Sequence, residues 1–196
     1  MAGVYGRGEA ASKMILFPSQ RRRGRESAER LYAASMKAAR EPVLYRDYGV
    51  PDTLQGRFEM IALHLFPLLH RLMHQPGDDP DLARLVSECF VSDMDAAFRE
   101  MGVGDVSVPK RMKKLYGSFA GRISAYGQAL RGGDAALAAV VSRNVFPDGP
   151  DDGRALALTR HLESTLAALR AAGLDGLRRG EAAFPSPPPL QEERVP

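Results

Sequence analysis

Apolar positions recur along this chain at steps of three and four, and they do so most densely between residues 50 and 131. Residues 53–74 read as a helix that is apolar nearly all round. Leu54, Phe58, Ile61, Leu65, Leu68 and Leu72 form one stripe, and Met60, Leu63 and Phe66 cover much of the rest. A helix with that pattern belongs at the centre of a domain. Asp52 is placed to cap it, with Gln55 three residues on, and Pro67 is expected to kink it. A second helix, 79–101, starts on Asp79-Pro80, has Leu82, Val86, Cys89, Phe90, Ala97, Phe98 and Met101 as its apolar face, and stops at Gly102. A third, 109–131, carries Met112, Leu115, Phe119, Ile123, Tyr126 and Leu130 along one side and ends at Gly132-Gly133.

An earlier helix is expected over 26–40, stopped by Glu41-Pro42. An extended connector over 42–50 follows, anchored by Tyr45 and Tyr48. Shorter helices are expected at 134–144 and 154–172, the latter closed by Gly173. No hairpin signal interrupts these elements. The pattern gives an all-α fold: a single helical domain of about six helices over 26–175. A basic segment (1–25) and a Pro-rich tail (176–196) flank it, both expected to be disordered and, beyond about residue 180, to lack tertiary contacts.

Composition narrows this little. The 196 residues suit one domain with tails, and 44% hydrophobic with 26% charged residues is ordinary for a soluble protein. The single cysteine, Cys89, excludes an internal disulfide and fits a cytoplasmic setting. The longest charge-free apolar run, residues 60–69, is half of what a membrane span needs. Met14 reads as an alternative start. Met14-Ile15-Leu16-Phe17 with the arginine run behind it suggests a weak, reversible contact with the inner face of the cytoplasmic membrane.

Charge distribution changes the picture more than net charge, which is only +3. Residues 1–40 hold nine basic side chains against three acids. Residues 78–101 hold seven acids against Arg84 and Arg99. Residues 106–133 hold six basic side chains and no acid. The acidic and basic helices are consecutive, so they are expected to pack as a pair, with Asp93 or Asp95 in ion-pair range of Lys113, Lys114 or Arg122. Arg99 and Glu100 are expected to fix the turn between them. The basic patch otherwise suits a polyanion, ribosomal RNA or anionic lipid. Sequence-specific nucleic-acid binding is not expected, for want of stacking aromatics.

Chemistry-bearing motifs are absent. His70 and His74 could share a metal but have no third ligand nearby in sequence. Asp93 and Asp95, two apart on a helix, point away from each other. Gly117-Ser118-Phe119-Ala120-Gly121 is not a nucleophile elbow. Residues 148–159 lack the ligands of a calcium loop. No cofactor or metal is expected. Gly117 and Gly121 inside a helix each cost about 1 kcal/mol relative to Ala. With Ala125 they form a small-residue stripe, used either for packing within the domain or as a groove for a partner helix.

Specific wording adds a family. Ala39-Arg40-x-Pro42-x-x-Tyr45, Val50-Pro51-Asp52-Thr53, Gly56-Arg57-Phe58-Glu59 and Asp93-Met94-Asp95 are part of it. The run from Arg99 to Asp105 and the pattern Val108-Pro109-Lys110-x-Met112-Lys113 through Phe119-x-Gly121-Arg122 complete it. Over about residues 31–161 the chain resembles the ubiquinol–cytochrome c chaperone family, in its alphaproteobacterial wording. The resemblance implies an all-α, non-enzymatic chaperone that assists early assembly of respiratory complex III by engaging nascent or newly inserted cytochrome b. Mitochondrial members sit near the ribosomal exit with a small partner subunit. The expected partner surface comprises Lys110, Lys113, Lys114, Gly117, Phe119, Gly121, Arg122 and Tyr126, with Gly117 and Gly121 as floor, aromatics as walls and cations as rim. The competing readings are a general helical adaptor and, further off, a small enzyme using Asp93, Asp95 and His64.

Overall fold

The computed structural model describes residues 18–147, 149 and 152–190, and among them the secondary structure is entirely helical. Seven helices follow in order: α1 (Pro18–Ala39), the five-residue α2 (Pro42–Arg46), α3 (Leu54–Met73), α4 (Pro80–Glu100), α5 (Val108–Arg131), α6 (Asp134–Val145) and α7 (Asp152–Arg178). The all-α architecture is thus as the periodicity predicts.

α3 is the axle. It touches α1, α4, α5, α6 and α7, and most of its side chains are buried, from Phe58 to Leu72. Its ends are the exceptions: Leu54, expected in the core stripe, is 74% exposed, and Met73 45%. The N-cap is Thr53, whose Oγ1 accepts from the Gly56 N–H at 3.1 Å, rather than Asp52, which pairs instead with Arg57. Gln55 turns forward to Glu59 and makes no capping box. Gly56 is there because the chain entering α3 crosses it: a Cβ would overlap the Pro51 carbonyl oxygen.

α4 starts as expected, with Asp79 accepting from the Leu82 N–H and Pro80 in the first turn. It ends at Gly102, where φ is +77° and the bonds Gly102 N–H to Arg99 O and Val103 N–H to Phe98 O close a Schellman motif. α4 and α5 meet through Phe90 and Phe119, stacked with ring centroids 4.3 Å apart.

Three expectations need correction. The first helix begins at Pro18, not 26, because Arg22–Glu26 and Arg25–Glu29 pairs carry the arginine run into helix. Gly24 faces Leu85 of α4 there. Residues 42–46 are helical rather than extended, since Pro42 ends one helix and opens the next. The chain beyond 180 is not free of contacts. Ala182, Phe184 and Leu190 pack on the core, and the Tyr48 hydroxyl donates to Pro188 O at 2.9 Å. Gly180, at φ +77°, closes the helix after Arg178, and the prolines from 185 on keep the following strap from turning helical. The readings for residues 1–17, including Met14–Phe17, and for 191–196 lie outside the described residues.

Candidate partner-binding groove

α5 has two unlike sides. Its inner side follows the stripe read from the sequence: Phe119, Tyr126 and Ala129 are buried, with Leu115, Ile123 and Leu130 partly so. Tyr126 packs against Phe66 with ring centroids 5.5 Å apart, and burial raises its phenol pKa above the ordinary value. On the same side Arg122 reaches Glu59. Its Nε donates to both carboxylate oxygens, at 3.1 and 2.8 Å, and its Nη2 donates to Oε1 at 2.8 Å. Glu59 is only 1% exposed and Arg122 29%. The fork geometry compensates the burial of that carboxylate.

The outer side is different. Lys110, Arg111, Lys113 and Lys114 are exposed and make no ion pair among the described residues. Gly117 and Gly121 are exposed as well, and a Cβ on either would meet nothing within 4 Å. The small residues therefore do not serve packing inside the domain.

Between these sides runs a groove of about 570 Å³, bounded by α3, α4 and α5. Phe66, Leu69 and Met73 supply its α3 wall, Ala83 and Ser87 its α4 wall. From α5 come Tyr116, Phe119, Ala120, Ile123, Ser124, Gly127 and Gln128, one helical face at steps of three and four. Tyr116 is half exposed at its lip. His70 sits at one end, against His74, with its Nε2 near Gln75 and its Nδ1 buried without a partner. Burial first, then His74, lowers the pKa of His70, so it is neutral at pH 7.

Of the residues expected to form the partner surface, the structure brings Lys110, Lys113, Lys114, Gly117 and Gly121 onto one exposed face. Phe119, though largely buried, lines the groove beside that face, Tyr126 lies behind it in the core, and Arg122 is committed to Glu59. The α3 and α4 walls, and Tyr116 at the lip, were missed; the spacing of 116, 120, 123, 124 and 127 would have shown the α5 part.

The expected cross-helix ion pairs do not form. Asp93 accepts from the Tyr32 hydroxyl of α1 at 2.7 Å, and burial and that bond raise the tyrosine pKa. Asp95 pairs with Arg99 in its own helix at 2.7 Å. The acidic helix is faced by α1, where Arg25 lies 3.7 Å from Glu88, because apolar contact turns the cations of α5 away from it. Arg99 also holds Asp105 and so fixes the turn; Glu100 makes no ion pair among the described residues.

His64 and His161 form a buried pair between α3 and α7, Nε2 to Nε2 3.2 Å. His64 Nδ1–H donates to the Met60 carbonyl at 2.8 Å, so its Nε2 accepts and His161 donates. Burial lowers both pKa values, to about 3 for His64 and about 4 for His161. No group of three or more His, Cys, Asp or Glu among the described residues could hold a metal, and no described helix is long and apolar enough to cross a membrane.

The model of the family described as ubiquinol-cytochrome C chaperone matches residues 46–184. Ubiquinol-cytochrome-c reductase complex assembly factor 1 of Xenopus laevis is 24% identical over 132 residues, 67% of this chain and 66% of that protein. The Drosophila melanogaster protein of the same description is 23% identical over 146 residues, 72% of this chain and 56% of its own length. That of Mus musculus is 24% identical over 132 residues, 67% and 45%. The aligned part thus spans under two thirds of each relative. The crystal structure of the Cbp3 homolog from Brucella abortus superposes with a TM-score of 0.76 at 36% identity, covering 86% of this chain and 93% of that one.

Proposed function

The chain belongs to the ubiquinol–cytochrome c chaperone family, and on that premise we propose that it is a non-enzymatic assembly factor for respiratory complex III that holds newly made or newly inserted cytochrome b. Identity of 36% to the Brucella protein, against 23–24% to the animal ones, supports a place in the bacterial branch.

The observation that carries the reading is the outer side of α5. Two glycines in mid-helix with nothing beside them disfavour the helix and give the interior no packing in return. They leave a flat strip of backbone next to an apolar groove, the surface a partner helix can approach closely. Met73, Tyr116 and Ile123, over a floor of the buried Phe66 and Leu69, offer apolar area to an apolar client segment. Lys110, Lys113 and Lys114, at the N-terminal end of the strip, suit an acidic flank of that segment. Phe119 and Tyr126 back the groove from inside, and the Arg122–Glu59 pair holds α5 at its distance from α3.

The absence of catalysis is part of the proposal. The candidate acid and base of the enzyme reading are engaged elsewhere: Asp93 with Tyr32, Asp95 with Arg99, and His64 inside the core with His161.

The test uses Gly117→Leu with Gly121→Leu in the native host. Both side chains project into open space, so the fold is retained. Cytochrome b is expected to stop co-purifying with the variant, and complex III levels to fall to those of a deletion strain. Normal complex III in the deletion strain would sink the functional reading. Normal levels in the double variant alone would sink only this surface.

A further inference from the structure

The α4–α5 turn shows a second kind of surface. Val106 is 96% exposed and Met101 53%, yet the backbone between them is not loose. The Schellman bonds at Gly102, the Ser107 N–H to Gly104 O bond at 2.8 Å and the Arg99 bridge from Asp95 to Asp105 hold it in one shape. Lys110, Arg111, Lys113 and Lys114 follow within eight residues of Val106, all exposed. The turn's own acids do little to offset them. Asp105 is already held by Arg99, and Glu100 is single.

We propose that this tip docks on an anionic bilayer surface, with the four cations of α5 among the headgroups and Val106 and Met101 seated just below them. Two independent features point the same way. Exposed apolar side chains on a rigid turn lose water contact by entering the interface. Unpaired, exposed cations in the first two turns of the helix that starts there gain from anionic lipid. Neither alone would be selective; together they match a charged surface with an apolar layer beneath it. A nucleic acid would use the cations but leave Val106 and Met101 in water. The docked tip would set the neighbouring groove close to the membrane surface. The proposal shares Lys110, Lys113 and Lys114 with the client reading, and a flotation assay that contains no client lets the two fail separately.

The experiment is co-flotation of the full chain with vesicles of phosphatidylcholine alone or mixed with phosphatidylglycerol. Binding is expected with the mixed vesicles only, and is expected to be lost at high salt. Lys110→Ser with Lys114→Ser should weaken it by about 25-fold, about fivefold per cation. Val106→Asp should weaken it further at unchanged charge on α5. All three sites are exposed, so the thermal midpoint should stay put, and a shifted midpoint would count against the surface assignment. Undiminished binding of a variant carrying all three substitutions would overturn the proposal and assign membrane contact to another part of the chain. Binding to an RNA oligonucleotide but to neither vesicle would overturn it in favour of nucleic acid.

Discussion

α3 and α5 each contain glycine where a helix prefers another residue, and the two cases have opposite causes. In α3, Gly56 lies under the incoming chain, and any Cβ would overlap the Pro51 carbonyl oxygen. In α5, Gly117 and Gly121 face open space. The first glycine is demanded by the protein's own interior. The second pair is demanded by nothing inside it. The same residue type therefore reports on folding in one helix and on something outside the protein in the other.

The largest expected effect on that contrast comes from the bridge between the two helices. Arg122→Ala leaves Glu59, 1% exposed, without its cation, and should lower stability by about 3–5 kcal/mol in denaturant unfolding. Arg122→Lys should recover only part, since one ammonium cannot reproduce three bonds from a planar fork. A loss below about 1 kcal/mol would show that the inner side of α5 is less tied to α3 than its geometry says.

Gly56→Ala comes next. The backbone at Pro51 must shift, which should cost about 1–3 kcal/mol, read as a fall in unfolding midpoint. A neutral result would remove the inner half of the comparison.

The buried imidazoles give a pH signature on the α3 side. Their folded pKa values, about 3 and about 4, lie below the ordinary 6.5, so the unfolded chain binds more protons between these limits. Stability is fully present above pH 6.5 and should fall as pH drops toward 4, by at most about 1.4 kcal/mol per unit for each group. His161→Gln should flatten the slope, as measured by urea unfolding across that range. An unchanged slope would mean that carboxylates elsewhere dominate.

The smallest effect has the opposite sign. Gly117→Ala and Gly121→Ala should each raise stability by about 1 kcal/mol, with no clash to offset the gain in helix preference. If either lowers the unfolding midpoint, the outer glycines answer to the fold after all.

Much of this architecture could be read from the chain because its causes are local. An all-round apolar stretch becomes the central helix, Asp79-Pro80 opens α4, and Gly102 takes the left-handed turn that closes it. What could not be read depends on which helix neighbours which. Arg122 pairs with a glutamate 63 positions earlier, and Asp93 with a tyrosine 61 positions earlier. Neither follows from the adjacency of the acidic and basic stretches. Some of the site was misplaced for a plainer reason. The stripe through Leu115, Phe119, Ile123 and Tyr126 already puts Tyr126 on the inner side, behind the groove, whereas Phe119 on the same stripe does line it. The residues opposite that stripe, from Lys110 through Gly117 to Gly121, were legible from helical phase alone.

The strap that joins the late chain to the early helices carries a consequence for the order of events in synthesis. Ser27 Oγ donates to Arg178 O at 2.6 Å, across 151 positions, and Tyr48 reaches Pro188 across 140. Contacts so distant in sequence form late and slow the approach to the native state. During translation α1 can settle on α3 and α4 well before either contact exists. The seat of the amino-terminal helix is completed only after the last described residues have been made. A chain stopped short of residue 178 would hold all the elements of the groove and lack both of these ties, so truncation should shorten the lifetime of the folded state before it alters the groove's shape.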